Sequence, residues 1–293
     1  MATQRIKPCL WFNDEAEPAV AFYASIFEHS RIKGVTRYGE AGARASGRQR
    51  GSVMIVEFEL AGHEFMALNG GPHFKFTPAL SFFVACETEQ EIDSLWAKLS
   101  EGGTARMRLD RYPFAAKYGW CEDRYGVSWQ MMLSSRKQKI SPALLFVKEQ
   151  AGKAEEAMKF YAALFDDSRI ESIARDEKTG VILHARFSLA GQDFVAMESP
   201  IDHPFTFTPA VSFVVKCEDQ QELDKIWNTL SAYKEAEQCG WLKDKFGISW
   251  QIVPAMMSKM MLELDSRKSE RVMQAVLKMK KLDIQALMQA AQD

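Results

Sequence analysis

Side chains that often carry acid–base or metal chemistry are scattered along this chain of 293 residues. The chain has five histidines, which are His29, His63, His73, His184 and His203, and no two of them have the sequence spacing of a metal site. Only His73 and His203 occupy equivalent places, because each comes shortly before a Phe-Thr-Pro segment. Since an unshifted imidazole titrates near neutral pH, these two are candidates for ligand contact or acid–base work. The alternative is that they are surface residues of loops.

The five cysteines do not indicate a metal or disulfide site. Their number is odd, none forms a Cys-x-x-Cys pair, and their neighbours are apolar. This pattern predicts buried, reduced thiols in a cytoplasmic protein. The N-terminus lacks the apolar segment of a signal peptide, and no apolar run approaches the roughly 18 residues that cross a bilayer. We therefore expect a cytoplasmic location and no membrane partner.

The charge balance argues against a nucleic-acid partner. A net charge of -2 provides no polycationic field. Arg37, Arg44, Arg48 and Arg50 form a basic stretch, but they lie among Gly, Ala and Ser without interleaved aromatic residues. We interpret that stretch as a solvated hairpin loop rather than a phosphate-binding patch.

The sequence contains an internal duplication, and equivalent segments of the two copies lie roughly 120–140 residues apart. The helices and strands that position any site therefore occur twice. The matching blocks keep one order: 8–12 with 142–146, 22–27 with 160–165, 30–32 with 168–170, 58–62 with 187–191, 76–82 with 207–213, and 123–130 with 244–251. Asp123 and Asp244 open the last blocks at tight turns, where we expect them to accept backbone N–H bonds. Trp129 and Trp250 are expected to face the helices.

Within each copy the hydrophobic period alternates between that of strands and that of helices. A short strand, a helix and three strands are followed by the same series, so we predict four βαβββ units, two per copy. Thr88 and Asp219 begin helices with capping signals. The predicted divisions are 1–135 for copy one, 140–254 for copy two and 255–293 for a Met-rich extension of two or three helices, packed on the sheets or on a second subunit. A homodimer is therefore a possible assembly.

These features resemble the vicinal-oxygen-chelate (VOC) superfamily, which includes glyoxalases, bleomycin-resistance proteins and dioxygenases. Asn69–Phe74 leading into Ser81–Val84, together with the Gly126–Gln130 ending, is similar to the PhnB-like family. The resemblance implies an α+β fold, a tandem duplicated VOC fold in which four βαβββ units form two curled, antiparallel or mixed sheets. Many such proteins carry the label 3-demethylubiquinone-9 3-methyltransferase. We do not expect methyl transfer, because no Gly-rich turn here joins a strand to a helix in alternating parallel βα units.

The resemblance also implies where a metal would bind, since metal-using members take His, Glu or Gln ligands from the first and last strands of each unit. Carried over by position, those sites fall near Pro8, Met66, Ala79 and Gln130 in copy one and near Pro142, Val195, Ala210 and Gln251 in copy two. One neutral amide per cup cannot hold a divalent ion against water. We therefore expect no metal and no cofactor, whether cups form within a copy or between copies.

Strand alternation then predicts what lines the cups instead, because residues two apart share a face. With the loop histidines, the candidate ligand-pocket residues are Phe12, Ser81, Phe83, Ser128, Gln130, Phe146, Ser212, Ser249, Gln251, His73 and His203. Leu10 and Leu144 should share that face. Mostly apolar linings with a few hydroxyls and one amide suit a small, largely apolar molecule. The alternative is that the same side chains fill a closed core, with both glutamines bonded to backbone.

Three functional hypotheses follow. The first is a metal-free protein that binds a small molecule, with no reaction specified. The second is an enzyme of the glyoxalase or dioxygenase kind with a metal-independent or unusual metal site. The third is an oligomeric scaffold with packed cups. The sequence does not assign catalytic residues or decide whether the protein is an enzyme.

Overall fold

The computed structural model describes residues 4–135, 139–263 and 266–292. The first unit has the elements β1 (Ile6–Phe12), α1 (Ala16–Ile26), β2 (Arg31–Arg37), α2 (Glu40–Ser46), β3 (Val53–Leu60) and β4 (His63–Asn69). The side chain of Asn69, at the end of β4, accepts a hydrogen bond from the backbone N–H of Ala16 and so satisfies the start of α1. The prediction of a loop around the basic stretch is wrong in part, since α2 contains Arg44.

The second unit follows the predicted order of elements. It contains β5 (Leu80–Cys86), α3 (Glu89–Leu99), β6 (Thr104–Tyr112), β7 (Ala115–Glu122) and β8 (Ser128–Leu133). Thr88 is the N-cap of α3, and its hydroxyl accepts a hydrogen bond from the backbone N–H of Glu91 at 3.1 Å. The helix therefore begins where the sequence signal placed it.

The second copy repeats this order with one strand fewer and without a counterpart of α2. Its elements are β9 (Lys139–Phe146), α4 (Ala154–Leu164), β10 (Arg169–Arg175), β11 (Ile182–Leu189), β12 (Gln192–Glu198), β13 (Val211–Cys217), α5 (Gln220–Leu230), β14 (Trp241–Lys243) and β15 (Ser249–Pro254). The prediction of four complete βαβββ units is thus wrong for the last unit. The connection at 231–240 is short and contains a 3-10 turn where the first copy has β6.

Each sheet takes strands from both copies. The seven-stranded sheet has the order β14-β15-β13-β1-β4-β3-β2, and the eight-stranded sheet has the order β10-β11-β12-β9-β5-β8-β7-β6. The antiparallel pairs β1–β13 and β5–β9 join the halves of the two sheets. The first unit therefore completes a sheet with the fourth, and the second unit completes a sheet with the third.

The helix-facing sides of the two sheets share one core. Phe65 of the seven-stranded sheet lies 5.3 Å from Phe82 of the eight-stranded sheet, ring centre to ring centre, and Phe194 and Phe213 repeat that contact at 5.3 Å. The opposite faces are separate, and we call them cup A on the seven-stranded sheet and cup B on the eight-stranded sheet. The architecture is thus the predicted duplicated VOC-like α+β fold.

A buried carboxylate ties each first helix to the last turn of its copy. Asp244 accepts hydrogen bonds from the Tyr161 hydroxyl at 2.6 Å and the Trp250 indole N–H at 2.7 Å, while its other oxygen accepts two backbone N–H bonds. Asp123 has the same four kinds of partner, including Tyr23 at 2.6 Å. The predicted backbone bonds are confirmed. The tyrosine donors are an additional feature, and they link the two sheets because α4 packs on one sheet and Asp244 precedes β15 of the other.

The described residues of the C-terminal extension form three helices, where two or three were predicted. They are α6 (Met257–Glu263), α7 (Ser266–Leu277) and α8 (Ile284–Gln292). The first two lie over cup A, where the hydroxyl of Ser258 donates to the Glu57 carboxylate at 3.0 Å. Glu270 accepts a hydrogen bond from the backbone N–H of Ala41, at the start of α2. The extension is therefore anchored to the first unit by polar contacts as well as by its methionines.

Asp244 generates a pH prediction. Burial raises the pKa of this carboxyl from its ordinary 3.8 to about 6, although the four hydrogen-bond donors act against the rise. Because the folded pKa lies above the unfolded one, the stabilisation from the protonated group is complete below about pH 3.8 and is lost as the pH rises through about 6. An asparagine at this position does not titrate.

We therefore compare the free energies of unfolding of the wild type and of Asp244→Asn. The wild-type value minus the variant value should be largest near pH 4 and should shrink by up to about 3 kcal/mol towards pH 7. Urea unfolding of both proteins across this range measures it. If the difference grows with pH instead, the ionised carboxylate is the form that the fold prefers.

Candidate functional site

Cup A contains a cavity of about 140 Å³ between the sheet and the helical extension. Its wall is mostly apolar, and methionines contribute much of it: Met54, Met66, Met257, Met261 and Met273. Val214 and Val253 of the central strands form its floor together with the side chain of Gln251. An engineered apolar cavity of about 150 Å³ accommodates benzene, so a molecule the size of one aromatic ring fits here.

The wall is charged at the buried ion pair of Lys7 and Glu57 and at Lys216, which is itself paired with Glu64. The Lys7 ammonium, on a side chain that is 3% exposed, lies 2.6 Å from the Glu57 carboxylate. Burial disfavours the charged form of Glu57, but the neighbouring ammonium outweighs it and holds the pKa of this carboxyl below its ordinary value. The Glu57 carboxyl is therefore ionised at neutral pH, and both residues of the pair line the cavity.

Beside this pair, Cys9, Ser212 and Gln251 form a hydrogen-bonded group on the same face. The Gln251 amide nitrogen donates to the Ser212 hydroxyl at 3.0 Å, and both side chains interact with the Cys9 thiol. Burial raises the pKa of Cys9 to about 11, so the sulfur stays protonated at neutral pH. A protonated thiol is a poor nucleophile and a poor metal ligand.

Cup B has the same glutamine in a closed setting. The Tyr118 hydroxyl donates to the Gln130 carbonyl oxygen at 2.6 Å, and the Gln130 amide nitrogen donates to the Ser81 hydroxyl at 2.8 Å. Gln130 is 1% exposed. Both of its polar atoms are thus used within the protein, and the partners are side chains rather than the backbone that the closed-core alternative predicted.

Differences at equivalent positions explain why Gln251 faces space and Gln130 does not. Aligning the shared Gly-Trp pairs places Cys239 where the first copy has Tyr118, and aligning the shared Ser-Phe pairs places Val214 where it has Phe83. Cys239 and Val214 both line the cavity of cup A. Smaller side chains at these two positions leave the volume that aromatic rings occupy in cup B.

The predicted pocket residues divide into two groups in the structure. Ser212, Ser249 and Gln251 come together in cup A, and Ser81, Phe83, Ser128 and Gln130 come together in cup B. The prediction that Phe12 and Phe146 share these faces is wrong, as it is for Leu10 and Leu144. Phe12 packs against Phe76 and Phe146 against Phe207, both in the shared helix-facing core.

The physical reason for this error is that β1 and β9 are buried on both faces, so the sequence does not show which set of alternate residues faces the cup. The register pairs Cys9 with Ser212 and Lys7 with Val214, which puts the odd-numbered residues of β1 in cup A. Lys7, a single charged residue in an apolar strand, was the signal that could have identified this face.

The two loop histidines lie outside the residues that line either cavity. His73 is exposed and contacts Phe74, and the Nε2 atom of His203 is 2.8 Å from the Ser199 hydroxyl. Neither contact brings an imidazole to Gln130 or Gln251, so acid–base work by these histidines has no support from the geometry.

The chelating positions also need correction, since Pro8 and Pro142 point to the helix side and Cys9 and Ala143 take their places. Cup A then offers Cys9, Met66, Ser212 and Gln251, and cup B offers Ala143, Val195, Ser81 and Gln130. Among the described residues, no three His, Cys, Asp or Glu side chains are grouped as metal ligands. A protonated thiol, a thioether, a hydroxyl and an amide do not match the imidazole and carboxylate ligands that divalent ions require.

Within the described part of the chain, no helix combines the length and apolar character needed to span a membrane.

Comparisons with known proteins identify the family. A family model described as 3-demethylubiquinone-9 3-methyltransferase matches residues 4–132 and again residues 138–253. A putative 3-demethylubiquinone-9 3-methyltransferase from Bacillus cereus, a PhnB protein of solved structure, is 44% identical over 45% of this chain and 100% of its own, with a TM-score of 0.42. No curated protein matches the chain.

A second solved structure, glyoxalase I from Zea mays, covers 87% of this chain and 95% of its own with a TM-score of 0.55 and 8% identity. At that identity the likeness shows the fold alone. Because the family model matches both halves and covers most of the chain, the protein belongs to the 3-demethylubiquinone-9 3-methyltransferase family.

Proposed function

We propose that this protein binds a small, largely apolar molecule in cup A, without a metal ion in the cup. The observation that supports this proposal is the cavity of about 140 Å³ beside Gln251, where cup B has the rings of Tyr118 and Phe83. An apolar wall with a few convergent polar groups is typical of small-molecule sites. The ligand would place a ring-sized apolar body among the methionines and one polar group at Lys7 or Gln251.

The helical extension forms one side of this cavity. Helices α6 and α7 cover cup A, and Met257, Met261 and Met273 form part of its wall. Methionine side chains are unbranched and adapt their shape easily, so they can repack around ligands of slightly different shape. In this proposal the extension belongs to the binding site rather than only to an oligomer interface.

Methyl transfer, which the family description suggests, has little support in this architecture. The strands are joined mainly in βαβββ and βαββ order, and the two sheets are mixed. Nucleotide-type cofactors usually bind at a Gly-rich turn between a strand and a helix, within parallel βα units. Gly70 and Gly71 follow β4 but lead to β5, and a side chain at Gly70 would collide with the Trp11 ring. The Gly-Gly pair therefore serves packing here.

Filling the cavity tests the proposal. Val214→Phe introduces the residue that cup B has at the same position, and the added ring should remove the binding space. In a thermal-shift screen with single-ring amides and phenols and with small diketones, a ligand at 100 times its Kd should stabilise the wild type by about 2.7 kcal/mol. Val214→Phe should lose this stabilisation.

Phe83→Val is the matched control, because it makes the reverse change in cup B and should keep the stabilisation. The proposal fails if no compound stabilises the wild type, or if a stabilising compound acts equally on Val214→Phe.

The two glutamines give a second test with a built-in comparison. Gln251→Ala should weaken binding of such a compound by about 1–2 kcal/mol, because it removes a polar group in the cavity wall. Gln130→Ala should leave the affinity unchanged, since Tyr118 covers Gln130 in the other cup. Calorimetric titration of both variants measures the difference. Equal losses in the two variants would place the site elsewhere.

Metal content tests the remaining part of the proposal. Protein purified without chelator should contain far less than one equivalent of manganese, iron, nickel or zinc, because neither cup offers imidazole or carboxylate ligands at the chelating positions. Elemental analysis of the intact protein and of Gln251→Ala provides the measurement. A full equivalent that EDTA removes and that the variant lacks would overturn the metal-free assignment.

A further inference from the structure

Cup B contains a second, smaller cavity with a different wall. It has a volume of about 90 Å³, and its lining does not include Gln130, Ser81 or Tyr118. One side is apolar, formed by Phe83, Ala85, Met132 and Val195. The other side is polar and includes Lys139, Ser141, His184, Arg186 and Asp193. The proposed function in cup A uses none of these side chains.

His184 supplies the observation that indicates a ligand. Its Nε2 atom is buried and has no hydrogen-bond partner among the described residues. Burial, and then the nearby positive charge of Arg186, lower the pKa of this imidazole, so the ring is neutral at neutral pH. A buried polar atom without a partner destabilises the folded state, because it has lost its hydrogen bonds to water. An occupant of the cavity that bonds to this nitrogen would offset that destabilisation.

Arg186 lies on the same face of β11, two residues after His184. Its Nη2 atom is 3.1 Å from Glu171 and 3.9 Å from Asp193, and Asp193 is itself 2.7 Å from the Lys139 ammonium. The cavity wall therefore has two cationic side chains and one anionic side chain. A guanidinium beside a neutral imidazole, which can donate from Nε2, is suited to an oxygen acceptor with negative charge.

The corresponding place in cup A has the opposite character. Aligning the shared Phe-x-Leu-Ala-Gly blocks places Glu57 at the position of Arg186 and Ile55 at the position of His184. Aligning the shared prolines of β1 and β9 places Lys7 at the position of Ser141. A negative side chain, Glu57 on β3, thus takes the place of the positive side chain of Arg186 on β11. The polar cavity is a feature of cup B and not of the duplicated fold in general.

We infer that cup B is a second binding site, for a small oxygen anion of the carboxylate type, which His184 and Arg186 hold by hydrogen bonds. A cavity of about 90 Å³ has room for a few non-hydrogen atoms. The apolar side of the cavity would contact the short carbon portion of the molecule. This site is independent of the one in cup A, so either can fail without the other.

The test is a titration of the full-length protein with sodium acetate, followed through the histidine ring signals in proton–carbon NMR spectra. Sodium chloride keeps the ionic strength constant, and acetamide serves as the neutral analogue of nearly the same shape. His184→Ile, which introduces the residue of cup A, identifies the His184 signal. We expect a saturable shift of that signal with acetate and at least about tenfold weaker binding of acetamide.

Arg186→Gln should weaken acetate binding by about tenfold or more, whereas Arg44→Gln, on the exposed helix α2, should leave it unchanged. Val214→Phe should also leave it unchanged, which separates this site from cup A. The absence of a saturable shift in the wild type, equal binding of acetamide, or full affinity in a folded Arg186→Gln variant would each overturn the inference.

Discussion

The exchange of units between the two copies is the constraint on which the rest of the structure depends. The pairs β1–β13 and β5–β9 are antiparallel, and they join the first unit to the fourth and the second unit to the third. Neither copy completes a sheet alone. Each cup combines a first or third unit with a unit from the other copy that it does not match in sequence. Substitutions in one half of a cup therefore need no matching substitutions in the other half. The tyrosine–aspartate–tryptophan groups at Asp123 and Asp244 then hold the two composite sheets together around one core.

Divergence at a few positions gives the cups different interiors on one scaffold. In cup B, Phe83 and the hydrogen-bonded Tyr118 cover Gln130. In cup A, the smaller Val214 and Cys239 leave room beside Gln251. On the neighbouring strands Glu57 and Arg186 reverse the local charge. Among the described residues, those of the helical extension line the cavity of cup A, where methionines form part of the wall, and not the cavity of cup B. These differences, rather than the shared fold, determine what each cup can bind.

Much of the fold could be predicted because its signals are local. The repeated blocks, the caps at Thr88 and Asp219 and the turns at Asp123 and Asp244 depend on short stretches of sequence. The composite pairing could not be predicted, since both pairings satisfy the same periodicity. The error at Phe12 and Phe146 has a related cause: a strand buried on both faces has no apolar–polar alternation. His184 and Arg186 were missed because their importance arises only where β11 meets β5 and β9.

The most direct measurement of the central claim uses the methionine methyl groups as internal probes of both cups. Methyl-labelled protein would be exposed to single-ring amides and phenols while its methyl NMR spectrum is recorded. Our account predicts that at least one compound gives saturable shifts of Met54, Met66, Met261 and Met273, which line the cup A cavity, without comparable shifts of Met132 and Met197 on the cup B face. Shifts shared equally by both groups, or no saturable shift with any compound, would contradict a binding site in cup A.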